Sequence, residues 1–348
     1  MTPHPLMKAG LALSMTGLIT ACGSGDSSSD NGNPPPTAPL QLDENNYGEM
    51  PMVIREMDDF EKIGAVFQDI IDIQDQANEI ISIIDNPHHY NSNSEYCSED
   101  NNNLVIEDTY SGNNQRSEYL FENCLVPDFS EHLRLSGTYT ISVSVNDAQT
   151  QAEATETYDL HGRIGDDPIT ILGSASTEAT FNGWNDYAAT ISIPALEYQL
   201  GEEYAALQGM RIRLSSESST YTSSSEARLI ASHLNGYVDL TTPVQITGSH
   251  DADCPDKGHV IAQADGKIET RYGATTGRGG MEILLNDSEA QFSESCDTQV
   301  IGGGHGGDST PISGDDYGSD TTGNEAIAID SPYPAEYEGD TLLAPDEW

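Results

Sequence analysis

Positive charge is scarce in this chain. Of its 348 residues 13 are Lys or Arg, against 58 Asp or Glu, and the formal charge is −45. A surface so acidic repels phosphate backbones and anionic membrane faces, which excludes nucleic acid as an expected partner. It suits a protein that stays hydrated in saline surroundings. Tryptophan is limited to Trp184 and Trp348, and all aromatics make up 7% of the chain. That is sparse for a carbohydrate cleft, and it argues against a membrane-spanning barrel, whose strands need aromatic girdles. No nucleophile elbow of the GxSxG kind occurs: "LGSAST" at 172–177 lacks the second glycine. None of the four lysines lies in an SxxK motif. No two cysteines stand in CxxC spacing, so a four-cysteine zinc site is disfavoured. Asp159 and His161 lie near many serines, a set that any serine-rich chain offers by chance. With 58 acids every carboxylate pairing is available, so none is singled out for glycoside hydrolysis. These absences leave a non-catalytic reading and no expected cofactor.

The N-terminus carries an address. Lys8 and the free amine form a small positive region, and the apolar run "AGLALSMTGLI" at 9–19 is too short to span a bilayer. "Ile-Thr-Ala-Cys" at 19–22 resembles the bacterial lipobox. The resemblance implies cleavage before Cys22, diacylation of its thiol and acylation of the new amine, an anchor that several acyl chains make durable. Gly23 rather than an acid follows, which points to the outer membrane. No acid precedes Asp26 and Lys8 is the one base before Cys22, so the mature chain carries 12 − 58 = −46.

Cys22 set aside, Cys97, Cys124, Cys254 and Cys296 remain, an even number in an exported chain. Three pairings are possible. The sequential one, Cys97–Cys124 and Cys254–Cys296, is favoured because each pair brackets a short hairpin-like segment.

Composition divides the chain into a signal peptide at 1–21, a disordered tether at 22–50, a folded domain at 51–300 and a disordered acidic tail at 301–348. The tether is Gly/Ser/Asp/Pro-rich, and the tail holds eleven acids and no Lys or Arg. Residues 53–86 have helical spacing: Phe60, Ile63, Phe67, Ile70, Ile71, Ala77, Ile80, Ile81 and Ile84 recur every three or four positions. Asn86-Pro87 ends this long amphipathic helix. From 102 to 297 the period becomes two. "GTYTISVSV" at 137–145 sets Tyr139, Ile141, Val143 and Val145 against Thr138, Thr140, Ser142 and Ser144, as a half-buried antiparallel strand does. "GMRIRL" at 209–214 and "YAATISIPAL" at 187–196 alternate likewise, with Pro194 marking an edge or a bulge. A leucine shortly before a strand-opening glycine recurs at Gly137, Gly173, Gly209 and Gly236, steps of 36, 36 and 27; the longer step fits one long hairpin. The expected fold is mainly β: an antiparallel up-and-down curved sheet of roughly ten strands, half-pipe or barrel-like, with the helix packed on its apolar face.

The stretches "YCSEDNNNLVIED…SEYLFENC" (96–124), "LRLSGTYTISVSV" and "LNGYVDLTTPVQIT…DCPDKGHVIAQADGKIETRYG…MEILL" (234–285) resemble a family of uncharacterised proteobacterial lipoproteins. Its pattern is a Cys-bracketed hairpin, glycine-opened strands and a Pro-x-x-Gly turn. An Asp/Gly-rich closing stretch of that family is replaced here by "LLNDSEAQFSESC". The resemblance implies no activity.

Metal chemistry has one weak candidate, "HDADCPDKGH", with His250, Asp251, Asp253, Asp256 and His259; its spacing fits no EF-hand, and Cys254 is expected to be oxidised. The sequence therefore reads as a lipid-anchored outer-membrane or periplasmic β protein that binds or assembles rather than catalyses. Its expected partners are the membrane through acylated Cys22, and an envelope protein. A carrier of an apolar ligand and a secreted hydrolase using acidic residues are the alternatives.

Overall fold

The computed structural model describes residues 36–66, 70, 94–126, 132–183, 186–250 and 252–296. These belong to the compact unit Met1–Gly303, and the second unit, Gly304–Trp348, lies outside them. The signal at 1–21, Cys22, Trp184, Asp251 and the acidic tail at 301–348 are also outside the described residues.

Thirteen antiparallel strands form one sheet in which order along the sheet is order along the chain. They are β1 (Leu104–Ser111), β2 (Asn114–Leu125), β3 (Leu133–Val145), β4 (Gln151–Ile164), β5 (Asp167–Gly183), β6 (Asp186–Leu200), β7 (Glu203–Glu217), β8 (Thr220–Ala231), β9 (Gly236–Ser249), β10 (Lys257–Ala264), β11 (Gly266–Gly273), β12 (Met281–Leu285) and β13 (Ser288–Ser293). The meander is open: β1 and β13 are its two edges.

Period-two patterning decides the faces. On β4 Glu156, Tyr158 and Leu160 are buried, while Thr155, Thr157, Asp159 and His161 between them are exposed. On β3 Tyr139 is buried and its hydroxylated neighbours are half-exposed. The inner face is one contiguous apolar cluster running from Leu104 on β1 to Ile283 on β12. The outer face carries rows of hydroxyls in cross-strand register, among them Thr140, Thr157 and Ser174. Burying each large inner side chain contributes about 1.5–3 kcal/mol, so the sheet's stability resides on that side.

The alternations of "GMRIRL" and "YAATISIPAL" are present as read; in "GTYTISVSV" Tyr139 is buried, while Ile141, Val143 and Val145 are half-exposed like their hydroxylated neighbours. Pro194 marks a bulge in a central strand: the register between β5 and β6 shifts between Ser174 and Ser176 opposite it. Of the repeat glycines Gly236 opens β9 as expected, while Gly137, Gly173 and Gly209 do not open their strands. Gly137 and Gly173 lie inside β3 and β5, with φ of 111° and 139°, and a Cβ would stand 2.0 Å from the Asp159 carbonyl oxygen and 2.3 Å from that of Ala195. Adjacent backbones approach there more closely than a side chain allows. The 36-residue step does carry the chain from mid-β3 to mid-β5, one hairpin on.

The long helix over 53–86 is corrected at its start. Val53 bridges Asp265 instead of entering a helix, and helix α1 covers 58–66 of the described residues. Asp59 sets that start. Its carboxylate accepts the Arg55 and Glu56 N–H groups at 2.8 and 3.1 Å and pairs with Lys62 at 2.8 Å. Burial pushes its pKa up, but these bonds outweigh burial and hold it below the usual value. Ile63, Val66 and Ile70 join the inner cluster. Residues 67–69 and 71–86 of the expected helix lie outside the described residues.

Candidate functional site

The weak metal candidates do not converge. The His250 Nε2 lies 3.1 Å from Ser216 Oγ, and its ring packs 5.5 Å from that of Tyr221. His259 on β10 points elsewhere, 3.0 Å from a Glu269 oxygen. Asp253 and Asp256 lie in the loop pinned by Cys254. Among the described residues no three His, Cys, Asp or Glu side chains are grouped to hold a metal ion. Asp159 and His161 form an exposed pair at 3.1 Å on the outer face. Ser136 stands opposite His161 in the ladder, but its hydroxyl receives the Asn123 N–H at 3.0 Å.

The four cysteines of the expected pairing do meet. Cys97 bridges Cys124 and Cys254 bridges Cys296, the sequential pairing. The first bond is buried under the β2–β3 end of the sheet. The second ties the loop between β9 and β10 to the chain just past β13.

Three buried carboxylates organise the chemistry of the sheet. Glu156, 6% exposed, is an acid at an inner-face position, and the Tyr158 hydroxyl donates to it. Burial raises its pKa and the tyrosine bond only partly offsets this. Tyr158 belongs to a cross-strand ladder with Tyr139 and Tyr119, ring centroids 5.2 and 5.8 Å apart, a spacing favourable for tilted rings.

Glu269, on the outer face of β11, is the hub of an ion network. It meets Lys267, Arg271 and His259, while Arg271 and Arg278 reach Glu282, and Lys267 also reaches Asp287 at 2.6 Å. Burial raises its pKa, but the bonds from Lys267 and Arg271 win and lower it to about 2. Lys267, Arg271 and Arg278 are thus neutralised by acids in place.

Glu197, 2% exposed, holds a strap. Its two oxygens accept the Gln41 and Leu42 N–H groups at 2.7 and 2.8 Å, and the Tyr204 hydroxyl donates to it at 3.1 Å. Burial first, then the nearby Glu197 and Asp43 charges, push the Tyr204 hydroxyl's pKa far above its usual value. Ala38 N–H donates to the Pro194 carbonyl, which the bulge turns outward, at 3.1 Å. Leu40, Leu42 and Tyr47 pack on Tyr204, Ala206 and Ile230 of the outer face. The strap then rounds the strand ends. Tyr237 N–H donates to Met50, Met52 to Tyr237, Asp265 to Met52 and Ile54 to Asp265, all at 2.7–2.9 Å. Met52 and Ile54 end in the inner cluster. Residues 36–50, read from composition as the end of the tether, therefore lie along the sheet from β6 to β9.

No family model, curated protein or solved structure matches the chain. The site must be read from its own geometry. Its buried carboxylates hold peptide groups, hydroxyls and cations of this chain, which is the chemistry of a clamp.

Sequence reasoning missed all three. Glu156 left a signal: it interrupts the small and apolar positions Ala152, Ala154, Tyr158 and Leu160 of its face. Glu197 left none, because the bulge at Pro194 shifts the parity of everything after it. Glu269 alternates outward like any solvated acid; Lys267 and Arg271 stand two residues away on its own strand, and β10 adds His259.

Proposed function

We propose that the chain is a lipid-anchored outer-membrane lipoprotein with a non-catalytic binding or envelope-assembly role, held to the membrane through acylated Cys22. The observation that carries this is the cysteine accounting. Four of the five cysteines close two bonds with each other, as an oxidising compartment favours, and Cys22 in its lipobox-like setting is left for acylation. The strap adds support: the chain leaves the sheet at Ala38, sixteen residues after Cys22, through a Gly/Ser/Pro-rich stretch suited to a spacer.

Intact-mass spectrometry after gentle detergent extraction tests the reading. The expected N-terminus begins at Cys22 and carries three acyl chains, and an envelope protein co-purifies. A mature chain beginning elsewhere, or at an unmodified Cys22, overturns the anchor. A stoichiometric apolar ligand that survives washing, or hydrolysis of an ester or glycan panel, overturns the binding role.

A further inference from the structure

The two edges of the sheet are not equivalent. β13 has six residues and its register with β12 shifts between Ile283 and Leu284. Arg278 covers it, stacking 3.8 Å over Phe292 and pairing with Glu289. Short length, irregular register and a covering cation are the usual protection of an edge. β1 has none of these. Its eight residues, "LVIEDTYS", contain no Pro, Lys or Gly, and they pair with β2 in unbroken register from Leu104↔Phe121 to Ser111↔Asn114. Among the described residues no strand pairs its other side.

Exposed apolar surface concentrates on the same hairpin. Tyr110 is 65% exposed, and Val105 and Leu120 are 43% and 41% exposed and stand directly opposite each other. Backbone polarity follows from one bond. Glu122 N–H donates to the Asn103 carbonyl, so Asn103 and the odd residues after it exchange bonds with β2. The N–H and C=O groups of Ile106, Asp108 and Tyr110 then point away from the sheet.

The charges say what fits there. Glu107 faces Glu118 across the ladder, a like-charge pair that is unfavourable by itself. Arg116 reaches Glu118 at 2.8 Å, while Asp108 accepts only the Ser117 hydroxyl at 2.6 Å. A second copy of β1 would bring acids against acids. A basic strand would relieve them.

We propose that β1 is a docking edge for an extended, basic segment of a partner protein, added as a fourteenth antiparallel strand. Reading outward from Tyr110 to Val105, the segment it fits is apolar, any, basic, basic, any, apolar: apolar residues beside Tyr110 and Val105, Lys or Arg beside Asp108 and Glu107. Backbone bonds to Ile106, Asp108 and Tyr110 hold the strand, and the two charge pairs select it. This rests on the binding role proposed above but not on the lipid anchor.

Hydrogen exchange of the full mature chain, followed by NMR, tests it with a peptide containing Val-Thr-Lys-Lys-Thr-Val and an acidic counterpart in which both lysines are glutamates. The lysine peptide is expected to slow exchange at Ile106, Asp108 and Tyr110 and to leave Val105, Glu107 and Thr109 unchanged. Asp108→Pro removes one outward donor, leaves the backbone bonds to β2 in place while losing the Ser117 hydroxyl bond, and abolishes the response. Glu107→Lys, a surface change that spares the fold, weakens the lysine peptide roughly five-fold and strengthens the acidic one. Equal response to both peptides, slowing at the odd residues instead, or an unchanged affinity in Glu107→Lys overturns the proposal. So does concentration-dependent slowing without peptide, which would make a second copy the occupant. These results leave the N-terminal mass of the anchor test untouched, so the two readings fail separately.

Discussion

Glu197 gives the sharpest test of how the strap is held. Replacing it by glutamine keeps one acceptor oxygen but turns an NH₂ group toward either Gln41 N–H or Leu42 N–H. One charge-assisted bond of about 1.5–3 kcal/mol is lost, and a buried peptide donor is left facing another donor. The expected cost is about 2–4 kcal/mol, against about 1 kcal/mol for Tyr204→Phe, which deletes only the 3.1 Å hydroxyl bond. If the strap detaches as a local unit, amide exchange at Gln41 and Leu42 accelerates roughly 30- to 1,000-fold in Glu197→Gln. Exchange at Tyr237, which Met50 holds farther along the strap, reports how far the release spreads. If it couples to global unfolding instead, Tm falls by about 5–12 °C for a domain of this size. Unchanged exchange at Gln41 and Leu42, with Tm also unchanged, would refute the assignment of Glu197 as the clamp.

Further outcomes follow from the other buried groups. Glu156 has a folded pKa raised above its ordinary 4.5, so the wild type loses stability as pH rises through that raised value; Glu156→Gln is therefore more stable than wild type in denaturant melts at pH 7, and the gain shrinks toward zero near pH 4. Glu269 is the opposite case. Its lowered pKa, about 2 against 4.5, means stability present above 4.5 and lost as pH falls through 2. That difference corresponds to at most about 3.4 kcal/mol, and solvent around Lys267 and Arg271 screens it to about 1–2 kcal/mol, the loss expected for Glu269→Gln in urea melts at pH 7. The disulfides close separations of 27 and 42 residues, so removing Cys97–Cys124 or Cys254–Cys296 by paired serine substitution should cost about 3.5 and about 4 kcal/mol in the chain-entropy picture; equilibrium unfolding of each variant checks this.

The helix and the tether mark the border between what was legible and what was not. Ile63 and Ile70 of the expected helical face lie in the inner cluster, and the helix is present over 58–66 of the described residues. Its start at 58 rather than 53 depends on two contacts: Val53 is captured by Asp265, and Asp59 collects the Arg55 and Glu56 N–H groups. The stretch 36–50 looks like linker because it has little to bury by itself. It becomes ordered because Glu197, Pro194 and Tyr237 present partners that are distant in sequence.

By itself the sequence determined the class and the local alternation. Period two, set by residues such as Tyr139 and Ile141 against Thr140 and Ser142, needs only that one face be dry and the other wet. The cysteine parity, with Cys22 set apart by its lipobox-like setting, fixed an even set for pairing. Tertiary structure alone decided the rest. The Pro194 bulge reset parity and turned Glu197 outward, so a face assignment made residue by residue fails beyond it. Burial of an acid is free-energetically tolerable only where donors converge, and Glu197 draws its peptide donors from a segment 156 residues away. Which edge of the sheet stays bare was likewise a matter of neighbours. β13 is shorter than β1, its register with β12 shifts, and Arg278 lies over its Phe292; together these separate the covered edge from the open one.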